Sequence, residues 1–202
     1  GVLLAGAQIL VAMLNLTGIG VTLSTLVVSV AGEQVFLVAL IVAVICLIMG
    51  MGIPTTAAYV LVAAVLAPAL TRIGIEPLVA HLFVFYFATI SVITPPVCIA
   101  VFVAAGIAKA GWLQVAGHAI RLGATTYVIP FLILAYPALI GLGDAWDITL
   151  AAARAMAFVL AFAGILGGAR LFGNRWLDSA LLATTGLLAL GPNIALGLVG
   201  IA

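Results

Sequence analysis

Charge is what this sequence has least of. Six Lys and Arg and five Asp and Glu make up 5% of its 202 residues, while 67% are apolar. Soluble globular chains carry about 25% charged and about 45–50% apolar residues. A water-soluble fold of this size could not cover its surface with so few charges. The surplus apolar surface therefore faces a lipid bilayer. The net charge is only +1 and the basic residues are scattered. That excludes a nucleic-acid partner, which needs a clustered basic face.

Other absences narrow the field further. The two cysteines, Cys46 and Cys98, lie deep in apolar runs. They form no CxxC pair, so neither a metal site nor a disulfide framework is indicated, and they read as small buried hydrophobes. HExxH and GxSxG are missing, which removes the commonest zinc and serine hydrolase signatures. No resident cofactor is implied. The chain opens on Gly1-Val2-Leu3-Leu4, without the charged n-region and cleavage site of a signal peptide. It reads as starting inside a longer protein.

What is present is a series of apolar runs. The first covers Val2 to Leu16 and is interrupted by Asn15, Thr17, Gly18 and Gly20. Val21 to Val30 carries Thr22, Ser24, Thr25 and Ser29; it is too short to cross a membrane and suits an interface or a packed position. Val35 to Leu70 holds no charged residue and far exceeds the about 20 residues that one span needs. It breaks in its middle at Gly50-Met51-Gly52-Ile53-Pro54, where Gly admits unusual backbone angles and Pro removes a helix hydrogen bond. The two halves are about 15 residues each, about 22 Å long. A re-entrant hairpin with its tip at Gly50 to Thr56 is the economical reading; two ordinary spans with a tight apolar loop are the alternative.

Arg72, Gly74, Glu76 and Pro77 form a short polar connection to a second uncharged run, Leu78 to Ala108. It too breaks near the middle, at Thr94-Pro95-Pro96, where two consecutive backbone donors are lost. In hydrocarbon an orphan carbonyl costs several kcal/mol, so such a break is tolerated only inside protein or beside a polar cavity. Lys109 to Arg121 interleaves Lys109, Gln114, His118 and Arg121 with Trp112, Leu113, Val115 and Ile120, as an interfacial amphipathic connector would. Gly123 to Gly141 reads as a span, Asp144 and Asp147 as loop residues, and Ile148 to Ala169 as another span. Arg170, Asn174 and Arg175 form a loop before a last span, Leu177 to Ala202, interrupted at Gly191-Pro192. The expected fold is an all-α polytopic membrane protein with a re-entrant hairpin and a broken transmembrane helix.

Consecutive apolar segments broken near mid-membrane point to a secondary transporter site. Helix C-terminal carbonyls favour cations and N-termini favour anions. The candidate residues are Gly50, Met51, Gly52, Pro54, Thr55 and Thr56 at the first break, and Ser91, Thr94, Pro95 and Pro96 at the second. Freed carbonyls with the hydroxyls of Thr55, Thr56, Ser91 and Thr94 suit a small hard cation such as sodium. Neither run contains Asp, Glu or Lys, which argues against proton relay by an intramembrane carboxylate. Packing kinks are the blander explanation of both breaks.

At these residues the chain resembles the large membrane subunit of tripartite ATP-independent periplasmic (TRAP) transporters, the DctM type. It looks most like the fused permeases that work with TAXI-type binding proteins. The matching stretches are Gly50-Met51-Gly52-Ile53-Pro54-Thr55-Thr56-Ala57-Ala58-Tyr59, His81-Leu82-Phe83-Val84-Phe85-Tyr86, Ser91-Val92-Ile93-Thr94-Pro95-Pro96-Val97 and Ala104-Ala105-Gly106-Ile107-Ala108. The resemblance runs from about Gly6 to Leu139. Many family members carry Asp-Pro where Pro54-Thr55 stand here, which argues against the dicarboxylate branch and leaves the substrate open. The resemblance implies a multi-pass permease of a bacterial or archaeal cytoplasmic (inner) membrane. It implies sodium-driven uptake of an organic acid delivered by a periplasmic TAXI-type solute-binding protein. It also implies an elevator-like transport domain of two inverted halves, of which residues 1–141 supply the second and the missing N-terminal part the first. Residues 142–202 look like the C-terminal membrane extension, about two helices, of the fused permeases.

Two further classes stand beside this reading. One is another ion-transporter-type carrier or a channel without a binding protein. The other is a membrane enzyme or structural subunit. Gly141-Leu142-Gly143-Asp144 matches the GxGD of intramembrane aspartyl proteases, and Pro137-Ala138-Leu139 their PAL motif, but that chemistry needs two facing carboxylates. No Asp precedes Asp144, and the PAL comes before the GxGD rather than after it. His81 reads as interfacial or hydrogen-bonded, His118 as solvated, Phe83, Phe85, Tyr86 and Phe87 as helix packing, and Gly164, Gly167 and Gly168 as close-contact positions.

Lys and Arg favour the cytoplasmic side. Lys109, Arg121, Arg170 and Arg175 fall on one side of this topology and the Arg72–Glu76 and Asp144–Asp147 connections on the other, with Arg154 against the bias. In a background lacking Cys46 and Cys98, Gly74→Cys is expected to react with an impermeant thiol reagent in whole cells, and Gln114→Cys only after permeabilisation. Labelling at position 114 but not at 74 reverses the orientation.

Overall fold

The computed structural model describes residues 2–32, 34–167, 184 and 186. Among them the regular structure is helical throughout. The helices are α1 (Val2–Thr17), α2 (Ile19–Ala31), α3 (Val35–Gly50), α4 (Thr55–Arg72), α5 (Pro77–Ile90), α6 (Ile99–Ala108), α7 (Trp112–Ala135) and α8 (Ala145–Gly167), with 3-10 turns at Ser91–Ile93 and Pro137–Ile140. The all-α polytopic expectation holds, and α4, α7 and α8 are long and apolar enough to cross a membrane. The chain divides into two compact units, residues 1–134 and 135–202.

In the first unit the centre is α4. Its buried positions Ala58, Val62, Val65, Leu66, Ala69 and Leu70 recur at helical spacing. They pack with Val38, Val42 and Cys46 of α3 and Ala80, Phe83, Val84 and Phe87 of α5. The second segment, left between interface and packing by its sequence, is α2, and it lies against α4. Pro68 offers no N–H to the Ala64 carbonyl one turn earlier, and a Cβ on Gly20 of α2 would sit 3.3 Å from that carbonyl oxygen. On the other flank Phe131 of α7 enters an aromatic group, with ring centroids 5.3 Å from Phe83, 5.7 Å from Phe87 and 5.6 Å from Phe36. Cys98, Val101 and Ala116 form a small separate cluster that joins α6 to α7. Both cysteines are buried and free.

The α4–α5 connection is built for its task. Gly74, at φ 89°, closes the end of α4, and Ile75 N–H returns to the Leu70 carbonyl at 3.2 Å. Pro77 then opens α5 and the Glu76 carboxylate accepts from Val79 N–H at 3.2 Å, capping the helix. Arg72 donates to Thr25 Oγ1 of α2 at 2.7 Å.

Three boundaries differ from the sequence reading. Lys109–Arg121 is not a separate connector: from Trp112 it forms the first turns of α7, which continues unbroken to Ala135. Gly123 costs a helix only about 1 kcal/mol, too little to end it, and Pro130 is accommodated inside it. The span ends before Gly141 because Pro137 disfavours helical angles at Tyr136, which sits at φ −130°, ψ 81°. In the second unit α8 begins at Ala145, so Asp147 lies in its first turn and not in the loop, where a carboxylate suits the helix dipole. Arg154 lies over the Tyr136 ring at 5.9 Å. The Arg170–Arg175 loop and, apart from Thr184 and Gly186, the last span, Leu177 to Ala202, fall outside the described residues.

Apolar side chains cover the outside as well as the inside: Ile107 is 81% exposed and Leu122 83%. Because lipid is as apolar as the interior, burial from water does not distinguish the two faces, and packing does. Leu66→Ala, at a fully buried position, leaves a void of the order that costs ~2 kcal/mol by the cavity term alone. It is expected to lower the melting temperature of the purified transporter by several degrees, whereas Ile107→Ala leaves it nearly unchanged. Equal losses would mean that α4 is not the packing centre.

Candidate functional site: two helix breaks in contact

The first break follows from its residues. α3 stops at Gly50, and Met51 leaves the helical region at φ −66°, ψ 128°, its N–H returning to the Ile48 carbonyl at 3.4 Å. Gly52 takes φ 78°, open to glycine at little cost and strained for other residues. Pro54, extended at φ −56°, ψ 138°, then starts α4, and its carbonyl accepts from Ala58 N–H at 2.9 Å. At the second break α5 ends at Ile90, tightens into the Ser91–Ile93 turn, and opens at Thr94, φ −96°, ψ 124°. Pro95 and Pro96, joined by a cis peptide, carry the chain to Cys98, whose carbonyl accepts from Val101 and Phe102 as α6 begins.

The breaks touch one another. A Cβ placed on Gly50 would fall 2.5 Å from Ser91 Oγ and 3.0 Å from Ser91 Cβ, and one on Gly52 3.4 Å from Val97 Cγ1. The C-terminus of α3 thus rests directly on the turn that ends α5, and four helix ends share one region: the C-termini of α3 and α5 and the N-termini of α4 and α6. Neither of those N-termini has a side-chain cap, unlike the start of α5.

The candidate hydroxyls occupy different positions within this region. Ser91 is fully buried and donates to the Ala88 carbonyl at 2.7 Å. Thr94 is half-buried, donates to the Ile90 carbonyl at 2.8 Å, and lies 2.6 Å from the Tyr127 hydroxyl of α7. Thr55 and Thr56 are exposed at the start of α4. Among the described residues neither of their hydroxyls makes a hydrogen bond. Met51 and Pro95 are half-buried; Pro54 and Pro96 are exposed. The structure therefore brings together Gly50, Gly52, Ser91 and Val97. It leaves Thr55 and Thr56 on the α4 side of the first break, with no hydrogen bond to the second.

Tyr127 and Val97 are the neighbours that sequence reasoning did not assign. A signal existed for the first: Thr125-Thr126-Tyr127 is a run of hydroxyls inside an apolar span. His81, read as interfacial or hydrogen-bonded, has its Nδ1 3.1 Å from the Tyr59 hydroxyl, and so ties α5 to α4. Among the described residues no cluster of His, Cys, Asp and Glu has the makings of a transition-metal site.

Residues 1–145 match the family described as tripartite ATP-independent periplasmic transporter, DctM component. The chain belongs to that family. No curated protein and no solved structure matches it. Membership makes this chain a multi-pass membrane component of a TRAP transporter, a system that works with a periplasmic binding protein, and the family is one of transporters rather than of enzymes. The GxGD stretch at 141–144 lies within the matched residues, and Asp144 and Asp147 are both exposed.

Gly50 has no room for a side chain. Gly50→Ala is expected to reduce uptake at least several-fold at normal protein levels, because the new methyl must push Ser91 and its backbone away. Adding Ser91→Gly removes both clashing atoms, and the double variant is expected to transport better than Gly50→Ala alone. Wild-type uptake by Gly50→Ala would show that the contact between the breaks is dispensable.

Proposed function

We propose that this chain is the transport-domain part of a sodium-coupled secondary transporter that takes up an organic acid delivered by a periplasmic binding protein. The observation that carries the reading is the contact of two uncharged helix breaks, Gly50 on Ser91 and Gly52 by Val97. Charge of both signs is needed to bind a cation and an acid together, yet Val35–Leu70 and Leu78–Ala108 contain no charged residue. The helix ends supply it. The carbonyl ends of α3 and α5 carry partial negative charge and suit sodium; the uncapped N–H ends of α4 and α6 carry partial positive charge and suit a carboxylate. Hydroxyls of Thr55, Thr56 and Thr94 add neutral oxygen ligands. Ser91, buried and bonded to Ala88, serves chiefly to seat the two breaks together.

The finer parts of the reading rest on the resemblance at the breaks. The delivering protein is of the TAXI type, and the membrane is the cytoplasmic (inner) membrane of a bacterium or archaeon. The motion is elevator-like, with a second hairpin and broken helix of inverted topology supplied by sequence outside this chain. Residues 142–202 form the C-terminal membrane extension of a fused permease.

Thr94→Val and Thr55→Val each keep the shape of the side chain and delete one hydroxyl. A bond to a charged partner is worth about 1.5–3 kcal/mol. Each variant is therefore expected to raise the sodium concentration for half-maximal uptake roughly tenfold or more. Uptake is measured with the complete transporter and its binding protein across a sodium series. Thr149→Val in α8, whose hydroxyl donates to the Ala145 carbonyl of its own helix, is the control and should not shift. Unchanged sodium dependence in both test variants, at normal protein levels, would place the cation elsewhere.

A further inference from the structure

We propose that Tyr127 is a positioning residue for the coupling cation, acting through the Thr94 hydroxyl; this rests on the reading of Thr94 as a cation ligand. Three side-chain positions of α7, spaced four residues apart and so on one face, meet the rest of the unit in succession. A Cβ on Gly123 would lie 2.9 Å from Ile93 Cδ1, so the Ile93 side chain of the second break reaches the helix backbone there. Tyr127, one turn on, reaches Thr94 Oγ1 at 2.6 Å. Phe131, a further turn on, is held among Phe36, Phe83 and Phe87. The aromatic anchor on one side and the Gly123 contact on the other fix where the phenol oxygen stands.

Proton bookkeeping gives that position a purpose. Thr94 has one hydroxyl proton and donates it to the Ile90 carbonyl at 2.8 Å. The bond with Tyr127 is then made by the phenol proton, received on Thr94 Oγ1. A threonine oxygen has two acceptor sites, so one remains for a cation. With both bonds in place the hydroxyl cannot rotate, and the remaining acceptor site keeps a fixed direction before any ion arrives. Without the phenol the hydroxyl is held on one side only, and part of the binding energy goes into orienting it. A tyrosine present only to fill space would be served equally well by phenylalanine.

The test is the sodium dependence of uptake by the complete transporter with its binding protein, for Tyr127→Phe, Thr94→Val and the double variant. Tyr127→Phe is expected to raise the half-saturating sodium concentration roughly threefold to tenfold, the worth of one neutral hydrogen bond, while maximal uptake at saturating sodium is retained. In the double variant the shift should match that of Thr94→Val within about twofold, because the phenol has nothing left to hold. Tyr86→Phe, on α5, is the control. Should Tyr127→Phe fail to accumulate, Tyr127→Met, a flexible filler without a hydroxyl, carries the same comparison. A Thr94→Val shift with no Tyr127→Phe shift overturns this inference and leaves the sodium reading standing, as do shifts that multiply in the double variant. No shift in either single variant overturns this inference together with the reading of Thr94 as a cation ligand, and the Thr55→Val result then decides the sodium reading.

Discussion

Everything in this fold follows from the need to satisfy backbone N–H and C=O groups where there is no water to do it. A chain with 67% apolar residues in a bilayer has only helices and closed barrels available. The helical choice moves the difficulty to the places where helices stop. Among the described residues, the polar turn and the C-terminal sides of both breaks are closed by local means. At the polar turn, Gly74 N–H returns to the Thr71 carbonyl and Ile75 N–H to Leu70, and Glu76 caps the next helix. At the breaks the closing groups are uncharged: Met51 N–H to Ile48, Thr94 N–H to Ser91, and the Ser91 and Thr94 hydroxyls to the Ala88 and Ile90 carbonyls. Among the described residues no buried side-chain nitrogen or oxygen lacks a partner.

The same requirement explains what could be read from the sequence. Backbone interruptions are written in residues that cannot be anything else. Gly50, Gly52 and Pro54 mark one break because only glycine adopts φ 78° freely and because proline starts a helix better than it continues one. Pro95-Pro96 marks the other through two missing donors. Glu76-Pro77 announces the start of α5 in the same way. The ends of α7 were less legible. Its basic and polar N-terminal turns differ in composition from the apolar remainder, and composition suggested two elements where backbone continuity makes one. Its C-terminus is set by Pro137, which acts on Tyr136, and the apolar run on both sides hides it.

Contacts between segments were legible only in part. That the breaks belong together follows from their shared character, but the atoms through which they meet do not. Ser91 looked like a ligand because it carries a hydroxyl; the fold buries it under Gly50 and gives its proton to Ala88. Tyr127 is one of several aromatics in a span, and its place four residues from both Gly123 and Phe131 acquires meaning only when Thr94 and Ile93 of the break are known to meet that face. Helical spacing gives the face of a helix and never its opposite number.

The absence of ionisable groups from the breaks bears on how coupling can work on the proposed reading. A buried carboxylate would bind a cation more strongly, but it also binds protons, and when empty it is a costly charge in a medium that solvates it poorly. Helix ends and hydroxyls are polar without being charged, so an empty site of this kind carries no net charge through the membrane. The cation and the acid then arrive with opposite charges, and each reduces the cost of holding the other. For this to operate, the carbonyl ends and the N–H ends must lie within a few ångströms, because dipole effects fade beyond the last helical turn. Gly50 is what lets the carbonyl ends of α3 and α5 meet. A residue that weakens a helix by about 1 kcal/mol relative to alanine stands where any side chain would hold α3 and the end of α5 apart, so the contact between the breaks depends on one missing Cβ.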